Sequence, residues 1–369
     1  MKIIQITTQW IGTVGGPSNY VHNLLENLEK MGHEVFVFSR ADNIVSNEKR
    51  VVYIKSNYFI SIIQQLRRFI LLKPDIIHVH GSIKLVVIPL VYKIIFNNNM
   101  KIVFTFHTQP TIYDYFKNIK VSNSPYMGFD GRVGSYLLDF CDNVTSVSKS
   151  IIDNLNKHTK LRINKFNVIY SGFNPQSLNS LRVTLKSSTF KSDGPIIITT
   201  GVFSWDWKVA GHLLLIKSIY ELKKDFPLIK LYILGDGLYR LKIEQYIQQY
   251  NLNQNVILKG NVLNVNQYLL EADIYAHFGL NEGSPLALVE AMGAGCPIIA
   301  ANTGGIPEVL NDNCGILVQP NVLSMVFKIR MLLLDFDLRK KLGENGKTYA
   351  LENYTWDTIT KKYIELYFN

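Results

Sequence analysis

The chain has 369 residues, 47% hydrophobic and 18% charged, which excludes a disordered chain and exceeds what one ordinary core holds. Its formal charge of +10 is concentrated early: residues 1–180 hold twenty Lys and Arg against eleven Asp and Glu, the remainder nineteen against eighteen. A basic half suits an anionic membrane surface, an anionic acceptor or nucleic acid, but no Lys/Arg run alternates with stacking aromatics, so no nucleic-acid partner is expected.

Met1-Lys2-Ile3-Ile4-Gln5-Ile6 is apolar over too short a run for a signal peptide and reads as a buried strand, Ile3–Thr7. After Gly15-Gly16-Pro17 a helix runs from about Ser18 to Met31, with Val21, Leu24, Leu25 and Leu28 at helical spacing. Gly32 stops it before a strand at Glu34–Phe38. Further strands are expected at Ile76–Val79, Ile102–Phe106, Val144–Val147 and Asn167–Ile169. Continuous apolar strands alternating with helices indicate a parallel sheet covered on both faces. Tyr58–Lys73 joins Phe59, Ile62, Ile63, Leu66, Phe69 and Ile70 to Arg67, Arg68 and Lys73. It reads as a helix packed on the sheet, with contact to a membrane as the alternative. Ile83 to Phe96 is interrupted by Lys84, Pro89 and Lys93 and falls short of a membrane span. Cys141, Cys296 and Cys314 have no metal or redox spacing and read as buried thiols of a cytoplasmic protein.

The polar stretch Leu185–Gly194, ending in Ser192-Asp193-Gly194-Pro195, separates a domain at 1–180 from one at 181–352. The rhythm then restarts with Ile196–Thr200, a helix from about Ala210 to Lys224, Lys230–Leu234, Val256–Leu258 and Ile274–His277. Asp335-Phe336-Asp337 matches an Asp-x-Asp metal string, yet it joins the helices Ser324–Leu334 and Leu338–Leu342, where Asp caps are expected. Residues 353–369 form a last amphipathic helix with Ile359, Tyr363 and Tyr367 on one face.

The most informative segment is Asn281-Glu282-Gly283-Ser284-Pro285-Leu286-Ala287-Leu288-Val289-Glu290-Ala291-Met292-Gly293-Ala294-Gly295-Cys296-Pro297. Ser284 suits an N-cap and Pro285 a first helical residue. Glu282 then stands just outside a helix N-terminus, where unpaired N–H groups and the dipole favour an anion. Glu290 follows about 9 Å further along a regular helix. One end of the unit suits a phosphate and the other a sugar hydroxyl.

This segment, with Ala301-Asn302-Thr303-Gly304-Gly305-Ile306-Pro307-Glu308-Val309 and Cys314-Gly315-Ile316-Leu317-Val318, resembles the family 4 retaining glycosyltransferases of the GT-B fold. Similar landmarks run through the chain: Gly32-His33-Glu34-Val35, Pro74-Asp75-Ile76-Ile77-His78-Val79-His80, Thr105-Phe106-His107, Leu234-Gly235-Asp236-Gly237 and Lys259-Gly260-Asn261-Val262. The resemblance implies two Rossmann-like domains facing each other across a cleft, the first binding an acceptor and the second a nucleotide-sugar donor, with the last helix crossing back to the first domain. It implies Glu282, His107 and Lys208 as catalytic-site residues. Donor-binding positions would be Gly15, Gly16, Gly235, Asp236, Gly260, Asn261, Val262, Ser284, Pro285, Leu286 and Glu290. It further implies hexosyl transfer without a metal or other cofactor, to a glycan or lipid-linked acceptor of a surface polysaccharide, lipopolysaccharide or glycolipid. The expected location is cytoplasmic, peripheral at the inner face of the membrane. Of His78 and His80 only one is expected to face the cleft, and Tyr113–Phe116 is a candidate acceptor contact.

The chain departs from the pattern at Gly201-Val202-Phe203-Ser204-Trp205-Asp206-Trp207-Lys208-Val209-Ala210-Gly211-His212. Where relatives supply an Arg this chain has Val202, and Lys208 stands two residues early. Lys208 is expected in the loop before the helix, reaching back to the diphosphate, with His212 as a second candidate. The missing Arg keeps a non-catalytic nucleotide-sugar-binding relative open as an alternative, beside a nucleotide-sugar 2-epimerase. No GxGxxG follows the first strand, which argues against a nicotinamide dehydrogenase.

Overall fold

The computed structural model describes residues 1–7, 16–40, 50–54, 58–108, 111–114, 119–123, 131–158, 163, 165–178, 193–204 and 206–368. The chain forms two compact units. Unit 1 comprises Met1–Ile112, Lys120–Ser171 and Trp356–Asn369, and unit 2 comprises Tyr113–Ile119 and Gly172–Thr355.

Unit 1 holds the strands β1 (Lys2–Thr7), β2 (Glu34–Arg40), β3 (Val51–Ile54), β4 (Ile76–His80) and β5 (Lys101–Phe106). It also holds β8 (Asn143–Ser146) and β9 (Asn167–Val168), which follow a short pair, β6 (Thr111–Asp114) and β7 (Ile119–Asn123), whose Tyr113, Asp114 and Ile119 are assigned to unit 2. Seven of them make a parallel sheet in the order β3-β2-β1-β4-β5-β8-β9, and β6 pairs with β7. The continuous apolar runs account for it, since Ile3, Ile4, Ile6, Ile77, Val79, Ile102, Val103 and Phe104 are all fully buried. The first helix is Gly16–Lys30, two residues earlier at its start than the periodicity suggests, with Val21, Leu24, Leu25 and Leu28 buried. Gly32 closes it at φ +83°, while His33 N–H donates to Leu28 O at 3.1 Å. The β6–β7 pair is not foreseen by the strand–helix rhythm. Tyr113 lies in β6, and Phe116 lies outside the described residues.

The last helix, Trp356–Phe368, belongs to unit 1. Ile359, Tyr363 and Tyr367 are buried, as the amphipathic pattern requires. Tyr367 Oη is 2.7 Å from His78 Nδ1, and Tyr363 Oη is 2.9 Å from Tyr20 Oη and 3.3 Å from Thr105 Oγ1. His78 and His80 lie on one face, contrary to expectation, because strand positions two apart point the same way. Their rings are 4.0 Å apart.

Unit 2 contains β10 (Ile196–Thr200), β11 (Lys230–Leu234), β12 (Val256–Gly260), β13 (Ile274–His277), β14 (Ile298–Ala301) and β15 (Ile316–Val318). All are parallel, in the order β12-β11-β10-β13-β14-β15. The order therefore reverses between β10 and β13. In open α/β sheets the crevice at the carboxyl ends of such strands is where ligands bind. The chain's entry into this unit and its exit from it are tied by Phe173 N–H donating to Tyr354 O at 2.8 Å. Asp335 caps the helix Phe336–Asn353, its Oδ1 accepting from Leu338 N–H at 2.8 Å. Cys141, Cys296 and Cys314 are buried free thiols.

Candidate active site

The segment around Glu282 is fixed by glycines on both sides. A Cβ at Gly279 would stand 2.6 Å from Cγ and Oε1 of Glu282, so only glycine lets the carboxylate fold back there. Gly304 adopts φ +56°, and a Cβ on it would collide with the Glu282 carbonyl oxygen. That oxygen instead accepts from Gly305 N–H at 3.0 Å. The Gly304-Gly305 turn thus holds the Glu282 backbone from the neighbouring strand end.

Two helix boundaries differ from those the sequence suggests. The helix is Leu286–Ala294 with Pro285 as N-cap, at φ −70° and ψ 118°, and no side chain caps it. Ser284 is buried and is not the cap, and Pro285 is not the first helical residue. The extended ψ of Pro285 delays the first helical residue to Leu286, while its carbonyl accepts from Leu288 N–H at 3.1 Å. The helix ends at Gly295, φ +79°, as its sequence requires. The second difference is at Lys208. The helix after β10 is Asp206–Leu222, so Lys208 lies in its first turn and not in the preceding loop. Val209 is fully buried and extends the apolar face of Leu215, Ile216 and Ile219 by nearly two turns toward the N-terminus.

From that first turn Lys208 Nζ reaches to 3.6 Å from Glu282 Oε1. Burial by itself would raise the Glu282 carboxyl, but Lys208, His277 and His212 outweigh it and hold the group below its ordinary value. The two imidazoles are buried and mainly for that reason titrate low, His277 at about 4. His212 Nδ1–H donates to Lys208 O at 3.1 Å, and the ring fills the space that a side chain on Gly201 would occupy. His277 Nδ1 is hydrogen-bonded to Tyr275 Oη at 3.1 Å, which is hydrogen-bonded to Thr200 Oγ1 at 2.8 Å. The chain Thr200–Tyr275–His277 crosses from β10 to β13 at the reversal of strand order. Nε2 of His212 and of His277 has no hydrogen-bond partner among the described residues.

Glu290 is half-buried on the Leu286–Ala294 helix, and burial raises its carboxyl. The loops after β10 and β11 are knitted together: Gly201 N–H donates to Leu234 O at 3.0 Å and Phe203 N–H to Asp236 O at 3.0 Å. A side chain on Gly235 would strike the Gly201 carbonyl. Gly235 N–H donates to Gly260 O at 2.8 Å, placing Asn261 and Val262 just beyond that bridge. Asp236 pairs with Arg240 at 3.1 Å and accepts from Gly237 N–H. Val202 follows β10 and offers no cation.

Unit 1 carries the other candidates. Gly16 opens the first helix and is exposed, and Gly15 lies outside the described residues. His107 follows β5, its Nε2 2.9 Å from His80 Nδ1 and its ring 4.7 Å from that of Tyr20, edge-on. Burial lowers its pKa to about 3. The geometry therefore gathers Lys208, Glu282, His212 and His277 in unit 2 and sets His107 in a separate histidine–tyrosine cluster of unit 1. His277 and Tyr275 were not singled out from sequence. The available signal was two polar aromatic residues, two apart, closing an otherwise apolar strand.

The chain matches two family models, "Glycosyltransferase Family 4" over residues 14–177 and "Glycosyl transferases group 1" over residues 183–349. It is 26% identical to an uncharacterized glycosyltransferase of Methanocaldococcus jannaschii over 61% of this chain and 59% of that protein. It is 25% identical to the N-acetylgalactosamine-N,N'-diacetylbacillosaminyl-diphospho-undecaprenol 4-alpha-N-acetylgalactosaminyltransferase of Campylobacter jejuni, over 69% of this chain and 66% of that enzyme. The alignments thus span less than two thirds of the length of either relative. In fold it is similar to HepE of Anabaena, solved in complex with UDP-glucose: the TM-score is 0.75 at 19% identity, covering 99% of this chain and 98% of that one. Two parallel-sheet α/β units with this likeness make the fold GT-B. The two family matches follow one another along nearly the whole sequence, and the chain belongs to the family 4, group 1 glycosyltransferases.

Proposed function

We propose that the protein transfers a hexosyl group from a nucleotide-diphosphate sugar to a hydroxyl acceptor in glycoconjugate biosynthesis, with retention of configuration and without a divalent metal. The observation that carries this reading is the Lys208–Glu282 pair at the β10/β13 reversal, beside the N-terminus of the Leu286–Ala294 helix. The bond from the sugar's anomeric carbon to the diphosphate breaks, its electron pair leaving on the diphosphate oxygen. The acceptor oxygen bonds to that carbon from the same face, and its proton passes to the departing diphosphate. Lys208 and the backbone N–H groups of the helix start meet the leaving charge. Glu290 accepts from the ribose hydroxyls, the sugar rests near Glu282, and the base lies by Gly235–Gly237 and Gly260–Val262.

The acceptor is lipid-linked in this reading. The Campylobacter relative is named for a diphospho-undecaprenol substrate. In unit 1 the helix Tyr58–Leu72 buries Ser61, Gln65 and Phe69 but exposes Ile60, Ile63, Ile70 and Leu71 beside Arg67 and Arg68. Apolar side chains with adjoining cations suit the surface of an anionic bilayer. Among the described residues no helix is long and apolar enough to cross a membrane. Sedimentation with phosphatidylglycerol vesicles, compared with Ile63→Glu, checks this part.

The central test incubates the protein with UDP-glucose and a panel of other nucleotide sugars, following nucleotide release and free sugar. Slow hydrolysis by wild type, abolished in a folded Glu282→Gln variant, is expected. Sugar interconversion would instead identify an epimerase. Binding without turnover would fit a non-catalytic relative, the reading favoured by Val202.

A further inference from the structure

We propose that His277 is a donor-binding residue whose Nε2–H hydrogen-bonds a diphosphate oxygen of the nucleotide sugar, with Tyr275 and Thr200 as positioning residues that keep the proton on that nitrogen. The inference rests on the nucleotide-sugar reading above. His277 is only 5% exposed, and its Nε2 has no hydrogen-bond partner among the described residues. Leaving a buried polar atom unmade is costly, and this one sits at the carboxyl end of β13, where a bound ligand can complete it. The imidazole lies within electrostatic reach of Glu282, Lys208 and His212, all in unit 2.

Its second nitrogen fixes the chemistry. His212 commits its Nδ1–H to the Lys208 carbonyl, so its neutral Nε2 is an acceptor and cannot hold a phosphate oxygen. His277 Nδ1 faces a hydroxyl, which can donate to it. Tyr275 has a single proton, and it can give that proton to His277 while accepting from Thr200 Oγ1. The proton of the neutral imidazole then sits on Nε2. Burial keeps the ring neutral at physiological pH, so it offers a donor without adding a cation. The site is the carboxyl end of β13 at the reversal of strand order, and Lys208 supplies the adjoining charge. With Val202 bringing no cation from the loop after β10, a buried neutral donor supplies an added contact to the anion.

The test uses the full chain and UDP, GDP, ADP and TDP as probes in calorimetric titration. The nucleotide that wild type binds is carried forward. His277→Gln places an amide N–H near the Nε2 position and is expected to keep Kd within about threefold. His277→Leu removes the donor and should weaken it at least tenfold, with Tyr275→Phe between them. Nitrogen-15 spectra of the histidine-labelled protein, assigned by the signal missing in His277→Gln, should show a protonated Nε2 that shifts on nucleotide addition. They also decide the matter should the leucine variant not fold. Wild-type nucleotide binding with an unaltered His277→Leu variant, or a proton on Nδ1, overturns the inference and leaves the nucleotide-sugar reading standing. A wild type that binds none of the four overturns both.

Discussion

Lys208 Nζ stands 3.6 Å from Glu282 Oε1, joining the first turn of the helix after β10 to the loop before the helix at Leu286. The side chains are 36% and 22% exposed, so the pair contributes at most about 1 kcal/mol to stability. Its importance lies in the charge it places at the site. Lys208→Met should leave the melting temperature within about three degrees of wild type while lowering kcat/KM for donor hydrolysis more than a hundredfold. A variant that melts much earlier, or that turns over normally, contradicts this assignment.

Gly211→Ala reverses the usual rule for helices. Alanine in a helix interior is ordinarily favoured over glycine by about 1 kcal/mol. At this position the added methyl would collide with the Phe278 carbonyl oxygen, and Phe278 Cβ is only 3.1 Å away. The substitution should instead destabilise by about 2 kcal/mol or more, read as a lower urea midpoint, because backbone must move.

The histidines of unit 1 predict an acid-sensitive fold. Burial lowers the pKa of His78, His80 and His107, the last to about 3, with mutual repulsion adding for the first two. The unfolded chain therefore takes up protons below about pH 6.5 that the folded chain refuses. Stability is fully present above that pH and falls as pH drops, by about 1.4 kcal/mol per pH unit for each such histidine. Urea midpoints at pH 7.5 and 5.5 should differ clearly, and His80→Gln should reduce the difference without abolishing it, since the buried His212 and His277 of unit 2 also titrate low.

Tyr367→Phe would leave His78 Nδ1 buried without its hydroxyl partner. The expected cost is about 1–3 kcal/mol, or several degrees in melting temperature. Phe368→Ser, at the neighbouring exposed position, is the control and should change little.

Apolar periodicity and glycine placement made most of the fold legible, because parallel strands buried on both faces announce themselves as uninterrupted Ile, Val and Phe. Lys208 and Glu282 were legible as candidates, but their separation was not: it depends on where a helix starts, and Val209 shifts that start by a turn. Ser284 misled because a good capping residue beside proline need not be the one that caps. His277 was illegible as a site residue for another reason. Its meaning comes from Tyr275 and Thr200, and the latter reaches it only through the pairing of Ile198 with Tyr275 between β10 and β13. In the β6–β7 pair the only alternation, Ile119-Lys120-Val121-Ser122, is too short to announce a strand.

Unit 1 is discontinuous in sequence, since residues 172–355 intervene before its last helix. During synthesis, then, Tyr20, His78 and Thr105 exist long before Tyr363 and Tyr367 arrive to cover them, whereas unit 2 is nearly contiguous and can close as it emerges. The first half of the protein to be made is thus the last to be finished.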